Sequence, residues 1–176
     1  TKLTILVFGG SQGAHSINKF IVDSLELIEE YKSSIQFIHI TGERDFAFVK
    51  NAYLVSKFQS IVLPYLHEMW NAYAAADLVI SRAGATTIAE LIALRKPAIL
   101  IPYPFATGNH QMYNARYLEK IGLATIVEER NLKREKLKEI ITYRLKHPEK
   151  LTNLVNEINL PKLLFNTKPV DILNLL

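Results

Sequence analysis

The chain has 176 residues, 49% hydrophobic and 22% charged, a balance that supports one folded domain and excludes an intrinsically disordered protein. The absence of cysteine excludes disulfides and thiolate metal sites. The formal net charge is +4, but the basic residues of the C-terminal third alternate with glutamates, which favours a solvated helical face over a nucleic-acid site and leaves open a weak attraction to anionic lipid headgroups.

Short apolar runs alternate along the chain with amphipathic segments, and none of these runs approaches the roughly 20 residues that span a bilayer. The predicted strands are Leu3–Phe8, Ile35–Ile40, Ser60–Leu63, Leu78–Ile80, Ala98–Ile101 and Ala124–Val127. The predicted helices are Ile17–Tyr31, Glu68–Ala76, Thr86–Leu94, Gln111–Ile121 and Lys133–Lys146, followed by a mostly helical tail beyond Pro148. This alternation predicts an α/β fold with a parallel sheet and helices on both faces, in which ligands bind at the carboxyl ends of the strands.

The first predicted strand runs directly into a glycine-rich turn that contains Gly10, Ser11, Gln12 and Gly13. Glycine permits close backbone approach, and the helix that follows presents unpaired N–H groups, so the turn is a candidate phosphate site. The Lys-Ser/Thr pair of a P-loop is absent, and the dinucleotide pattern GxGxxG is incomplete. Taken alone, this turn is equally well interpreted as a tight turn or as a ligand site.

A second glycine-containing loop follows Leu78–Ile80 and again leads into a predicted helix. Its candidate binding residues are Arg82, Gly84, Ala85, Thr86, Thr87 and Glu90. Two interpretations stay open, because Thr87 and Glu90 have the spacing of a capping box, whereas a carboxylate one turn into a helix can also accept hydrogen bonds from ribose.

The third loop follows Ala98–Ile101 and opens into a helix whose first turns carry His110, Gln111 and Asn114. Amide side chains suit sugar hydroxyls because each offers a donor and an acceptor. The alternative is an ordinary helix start, with Asn109 as its cap and the amides in solvent.

The three loops, in this order and at this spacing, resemble the MurG-type glycosyltransferases of family 28, over about Leu3–Glu129. The resemblance implies that residues 1–176 form a single donor-nucleotide-binding domain, the Rossmann-like C-terminal half of a GT-B fold. The half with the acceptor site and the candidate general base is not in the chain, so no catalytic residue is assigned. The first strand begins almost at residue 1 without an initiator Met, which also suggests a piece of a longer protein.

The resemblance also implies roles for individual residues. The backbone of Leu66 would face the uracil of the donor, flanked by Tyr65 and Met69, and Glu90 would hold the ribose hydroxyls. The expected diphosphate or ribose contacts are Ser11, Thr86 and Thr87. The expected sugar contact is Gln111, supported by Asn114, while His110 stands where the family usually has a second glutamine.

The implied reaction is inverting transfer of N-acetylglucosamine from UDP-GlcNAc to a lipid-linked muramyl-pentapeptide, which makes lipid II for the peptidoglycan of the bacterial cell wall. The full protein would be cytoplasmic and peripheral to the inner face of the membrane. No Asp-x-Asp occurs in the sequence, so we expect no metal, and we expect no cofactor and no nucleic-acid partner.

Two alternatives stay open. One is the separate catalytic half of an Alg13-like split glycosyltransferase, against which the glycine-rich turn favours the MurG type. The other is a non-catalytic nucleotide-binding module that uses the same fold.

Overall fold

The computed structural model describes residues 2–147 and confirms the parallel sheet. The strands are β1 (Leu3–Phe8), β2 (Ile35–Ile40), β3 (Ser60–Leu63), β4 (Leu78–Ser81), β5 (Ala98–Leu100) and β6 (Ala124–Ile126). The helices are α1 (His15–Ser24), α2 (Phe46–Ser56), α3 (Met69–Ala75), α4 (Ala85–Leu94), α5 (His110–Lys120) and α6 (Arg134–Lys146). All six predicted strands are therefore present within one residue of their predicted ends.

The order of the strands in the sheet is β3-β2-β1-β4-β5-β6, and every neighbouring pair is parallel. The first three strands extend the sheet from β1 to one edge, through β2 to β3. The chain then returns to the other side of β1 and extends the sheet through β4 and β5 to β6. The boundary between β1 and β4 is thus a topological switch point, where a crevice opens at the carboxyl ends of the strands. At the opposite ends, Asp77 accepts a 2.8 Å hydrogen bond from Thr4 N–H and donates one of 2.9 Å to the Thr4 carbonyl.

Helices cover both faces of the sheet, which explains why its strands are almost continuously apolar. Ile5 and Val7 point to one face, where they pack under α1, α2 and α6. Leu6 and Phe8 point to the other face, under α3, α4 and α5. The two cores lie on opposite sides of the sheet, and the loops that follow the strands are held between these two helical layers.

The helical prediction over Ile17–Tyr31 was wrong in one respect. The α-helix ends at Ser24, whose hydroxyl bonds back to the Phe20 carbonyl at 2.6 Å, and the chain continues as a 3-10 helix over Glu26–Tyr31. Such back-bonding competes with the helical ladder and favours a break. Helix α2 was not predicted at all. The predicted helical tail beyond Pro148 lies outside the described residues.

Over residues 2–147, no helix is both long enough and apolar enough to cross a membrane.

Candidate functional site

The loops singled out from the sequence meet at the switch point. Phe8, the last residue of β1, lies beside Ser81, the last residue of β4, in the parallel register. The glycine-rich turn (residues 9–14) and the second loop (residues 82–84) therefore leave the sheet next to each other, and each leads into the N-terminus of a helix. Two helix N-termini at one crevice create a positive electrostatic environment suited to an anion.

The glycine-rich turn has a conformation and a packing that require glycine. Gly10 and Gly13 have φ of +92° and +74°, and Gly13 N–H bonds to the Gly10 carbonyl at 3.0 Å. A Cβ on Gly13 would lie 2.2 Å from the carbonyl oxygen of Thr41, just after β2. Only glycine allows this approach. Gly10, Ser11 and Gln12 are exposed at the tip of the turn.

A buried polar network that the sequence analysis missed supports this turn from below. Asn18 of α1 donates hydrogen bonds to the Thr41 carbonyl at 2.9 Å and to Asp45 Oδ2 at 2.8 Å. Its Oδ1 lies 3.0 Å from His39 Nε2, and His39 Nδ1 lies 3.2 Å from the Tyr53 hydroxyl. The network fixes α1 against the end of β2 and so fixes the turn that precedes α1.

The protonation state of His39 follows from this geometry. Burial lowers the pKa of His39 to about 3, although the charge of Asp45 acts in the opposite direction. The ring is therefore neutral near pH 7. Because Asn18 Oδ1 can only accept, Nε2 carries the proton and Nδ1 accepts from Tyr53. The signal in the sequence was the presence of polar residues at core positions, Asn18 beside Ile17 and His39 within an apolar strand.

Asp45 joins this network to the surface. Its carboxylate lies 3.0 Å from His15 Nδ1 and accepts the bond from Asn18. Burial alone would raise the pKa of Asp45, but the hydrogen bonds from Asn18 and His15 and the positive charges of His15 and Arg44 outweigh it and lower the pKa. The carboxylate is therefore ionised at neutral pH and holds α1 from its first turn.

Helix α4, which follows the second loop, begins earlier in the chain than a capping box at Thr87 and Glu90 would require. Helix α4 begins at Ala85, with Gly84 as its N-cap and no side-chain cap. Thr87 lies inside the first turn rather than at the cap, so the capping-box interpretation was wrong. Ala85 and Thr86 are exposed, and Thr87 is half-buried. Within residues 2–147, no side chain caps the start of α4.

Glu90, one turn further along α4, is held by a residue that the sequence analysis did not select. The Tyr73 hydroxyl donates a 2.8 Å hydrogen bond to Glu90 Oε2. Tyr73 lies on α3 and is 1% exposed, and its ring packs edge-to-face against Phe8 at 5.8 Å between centroids. Glu90 itself is half-buried, and its Oε2 is held by the protein.

Arg82 is buried beneath the loops. Its guanidinium donates to the carbonyls of Ile101 at 3.1 Å and Pro102 at 3.3 Å, and to Ser16 Oγ at 2.9 Å. It also forms an ion pair with Glu129 at 2.5 Å. These contacts join α1, the end of β5 and the segment after β6.

The amides of the third loop are not in solvent, which contradicts the alternative interpretation of this helix start. Gln111 Oε1 accepts hydrogen bonds from Ala83 N–H at 3.2 Å and Tyr103 N–H at 2.9 Å. Asn114 Nδ2 donates to the Ala83 carbonyl at 3.0 Å. Asn109 occupies the N-cap position with φ +55° but makes no side-chain cap bond. The two amides therefore join the second and third loops.

Two further parts of the predicted site lie beside these loops. His110 is exposed and its Nδ1 lies 2.7 Å from the Thr107 carbonyl, which can only accept, so Nδ1 carries a proton and Nε2 takes no part in this bond. Before α3, Leu66 is half-buried, Tyr65 is 49% exposed, and Met69 is the first residue of the helix. Since Met69 begins the helix that carries Tyr73, this segment is connected directly to the Glu90 anchor.

A cavity of about 750 Å³ lies near the opposite, amino ends of the strands, lined partly by Lys2, Lys50, Lys57 and Gln59. We place the candidate site at the carboxyl ends instead. The positive-φ glycines, the uncapped start of α4 and the anchored carboxylate meet there, and none of these features lines the other cavity.

Comparison with known proteins identifies the family. Residues 4–163 match the family described as glycosyltransferase family 28 C-terminal domain. The chain is 44% identical over 153 residues to the curated UDP-N-acetylglucosamine–N-acetylmuramyl-(pentapeptide) pyrophosphoryl-undecaprenol N-acetylglucosamine transferase of Syntrophus aciditrophicus, covering 87% of this chain and 42% of that protein. The protein of the same description from Thermodesulfovibrio yellowstonii is 44% identical over 164 residues, covering 93% and 44%.

Among solved structures, the crystal structure of Acinetobacter baumannii MurG superposes with a TM-score of 0.77 at 30% identity, covering 89% of this chain and 47% of that one. The chain thus spans less than half the length of each of these three relatives. The extent of the family match, together with the loops described above, shows that this chain belongs to glycosyltransferase family 28, as its C-terminal domain.

Proposed function

We propose that this chain is the donor-binding domain of a two-domain, inverting N-acetylglucosaminyltransferase of the MurG type, with UDP-GlcNAc as donor. The observation that carries the proposal is the convergence of the three loops at the β1–β4 switch point, with Glu90 anchored beside an uncapped helix start. The descriptions of the family 28 relatives, which are named for this donor, support it.

Each part of the donor has a counterpart among these residues. The backbone at Leu66, between Tyr65 and Met69, would receive the uracil. Glu90 would accept hydrogen bonds from the ribose hydroxyls. The diphosphate would lie between the glycine-rich turn and the start of α4, where backbone N–H groups and three hydroxyls would donate to it. The expected contacts are Gly10, Ser11, Gln12, Gly13, Gly84, Ala85, Thr86 and Thr87.

Gln111 has a defined role in this arrangement. Because its Oε1 already accepts two backbone hydrogen bonds, the group that remains for a ligand is Nε2, which can only donate. Gln111 would therefore donate to an oxygen of the sugar. Asn114 would support the site through Ala83, and His110 would offer Nε2 to a hydroxyl at the rim.

The chemistry follows from the same geometry. When an acceptor hydroxyl attacks the anomeric carbon, the bond from that carbon to the diphosphate breaks and UDP leaves with the electron pair. The helix N-termini and the backbone N–H groups of the turn would stabilise the negative charge that develops on the diphosphate. The base that takes the proton from the acceptor hydroxyl is expected outside this chain, so the 176 residues alone should bind the donor and turn over little or nothing.

The acceptor belongs to the same proposal. The relatives are named for transfer to an N-acetylmuramyl-(pentapeptide) pyrophosphoryl-undecaprenol, a lipid-linked muramyl-peptide. We propose this acceptor for the full protein, which would act in the bacterial cytoplasm, peripherally at the inner face of the membrane.

Calorimetric titration tests the donor assignment. The chain should bind UDP-GlcNAc saturably, and Glu90→Ala should weaken binding by about tenfold, the effect of losing hydrogen bonds to a charged group. Glu139→Ala, which removes an exposed carboxylate on α6, should leave the affinity unchanged. Titrations with UDP-GalNAc and UDP-glucose measure the choice of sugar. Binding of NADH or ATP in place of every UDP-sugar would refute the assignment.

A further inference from the structure

The residue that anchors Glu90 lies outside the set of residues that the family resemblance selects. Tyr73 is on α3, whereas every other side chain expected near the ribose and diphosphate is on a loop or on α4. Its hydroxyl is nevertheless 2.8 Å from Glu90 Oε2, inside the core and beneath the candidate site.

From this geometry we infer that Tyr73 is a positioning residue for ribose recognition, which fixes the carboxylate of Glu90 through Oε2 and leaves its remaining acceptor capacity for the ribose hydroxyls. The inference rests on the proposed function, since it assumes that Glu90 meets the ribose of a uridine nucleotide. Tyr73 itself does not touch the ligand.

The direction of the hydrogen bond is fixed. Burial and the adjacent charge of Glu90 raise the pKa of Tyr73 far above its ordinary value. The hydroxyl therefore stays protonated and donates a hydrogen bond to the carboxylate. Tyr73 and Glu90 thus form a directed pair that ends on the carboxylate.

Fixing Glu90 matters because a glutamate side chain has several rotatable bonds. A half-buried glutamate without an anchor would lose that freedom when the ligand binds, at a cost in affinity. In this chain the side-chain freedom of Glu90 is already lost when the protein folds, because Oε2 is bonded to Tyr73. A carboxylate has about four acceptor positions, and one bond to Tyr73 leaves enough of them for two adjacent hydroxyls.

Tyr73 also connects Glu90 to the rest of the site. Its ring packs against Phe8, the residue before the glycine-rich turn. It is four residues from Met69, where α3 begins and where the segment expected to receive the uracil ends. The side chain of Tyr73, on α3, therefore contacts both the end of β1 and Glu90 on α4. A shift of α3 would move the Glu90 carboxylate, and with it the group expected to bind the ribose.

The test is Tyr73→Phe, which keeps the ring and removes only the hydroxyl. Affinities for uridine diphosphate and for its 2′,3′-dideoxy analogue are measured by calorimetry on the full chain. The variant should bind uridine diphosphate about tenfold more weakly, the effect expected for a hydrogen bond to a charged group, while its affinity for the dideoxy analogue should not change. Tyr31→Phe is the matched control, because it removes a hydroxyl bonded at 2.8 Å to Thr142, between the 3-10 helix and α6 on the other face of the sheet.

A second measurement separates positioning from a general loss of structure. In a Glu90→Ala background, Tyr73→Phe should cause no further loss of affinity for uridine diphosphate, because its effect passes through the carboxylate. Equal weakening of both ligands, or an additive loss in the double variant, would mean that Tyr73 is only structural and would overturn the inference. Normal binding by Tyr73→Phe alongside weak binding by Glu90→Ala would overturn it while leaving the proposed function intact. If the unmodified chain binds no uridine diphosphate, the proposed function fails and this inference with it.

Discussion

Gln111 and Ala83, 28 positions apart in the chain, are joined by a hydrogen bond of 3.2 Å from the backbone N–H of Ala83 to the side-chain Oε1. The same oxygen accepts from Tyr103 at 2.9 Å. One side-chain carbonyl therefore satisfies two loop N–H groups that have no partner within a helix or strand. In the proposed function, the two ends of the Gln111 amide would therefore have separate tasks, with Oε1 bonded within the protein and Nε2 directed toward the ligand.

We predict that Gln111→Glu keeps the fold and loses part of the donor affinity. A carboxylate can accept both loop N–H groups but cannot donate to a sugar oxygen. Affinity for UDP-GlcNAc should fall about tenfold, while affinity for UDP should stay within about twofold. Gln111→Ala is the comparison, since it should also lower the free energy of unfolding by about 2 kcal/mol by leaving the loop N–H groups unpaired. Equal loss of UDP and UDP-GlcNAc binding in Gln111→Glu would contradict the role assigned to Nε2.

A second prediction concerns the two positive-φ glycines of the turn, which form a natural pair. Gly10→Ala should cost about 1–2 kcal/mol of unfolding free energy, since a Cβ there meets no atom of residues 2–147 within 4 Å and only the left-handed backbone is penalised. Gly13→Ala should cost more than about 3 kcal/mol of unfolding free energy. It has the same backbone penalty, and in addition its Cβ would clash with the Thr41 carbonyl oxygen. Denaturant unfolding of both variants measures the difference, and similar values for the two would show that the turn can move away from β2.

His39 gives a prediction about pH. Its folded pKa of about 3 lies below the ordinary value of 6.5, so the unfolded chain binds the proton that the folded chain excludes. The stability contributed by neutral His39 is complete above about pH 6.5 and is lost as the pH falls toward 3, at up to about 1.4 kcal/mol per unit. His39→Gln should reduce this slope between pH 4 and 6.5, measured as unfolding free energy. Tyr53→Phe should lower stability while keeping the slope, and an unchanged slope in His39→Gln would show that another group is responsible.

Arg82 gives the fourth prediction. Arg82→Lys should lower the free energy of unfolding by about 3 kcal/mol, because an ammonium cannot reproduce the fork that bonds two carbonyls, Ser16 and Glu129. Ser16→Ala, which removes one of these contacts, should cost about 1 kcal/mol. A stable Arg82→Lys variant that no longer bound UDP-GlcNAc would instead make Arg82 a direct ligand of the donor.

The strands could be predicted closely because each is a short apolar run rich in β-branched residues and bounded by turn residues. Helix α2 could not, and the reason is visible in its burial. Val49 and Tyr53 point into the core, but Phe48, Leu54 and Val55 on the outer side are apolar too. The helix therefore lacks the polar face whose period identifies a helix in a sequence.

The candidate site was only partly predictable. The loops could be located because glycine, threonine and amide residues follow apolar runs. The partners of Glu90 and Gln111 could not be predicted, since Tyr73 lies on a different helix and Ala83 and Tyr103 contribute only backbone groups. The spacing of Thr87 and Glu90 fits a capping box in sequence, but the N-cap position is Gly84, three residues before Thr87, so Thr87 cannot serve as the cap.

The two hydrogen bonds between Thr4 and Asp77 have a consequence for the order of folding. These residues are 73 positions apart and hold β1 beside β4, so the crevice between the two strands forms only after a long stretch of chain has closed. A partly folded chain containing only β1 to β3 would have the glycine-rich turn without its neighbour. A ligand that bridges the two strands should therefore slow amide hydrogen exchange in both halves of the sheet together, since it binds only the completed fold.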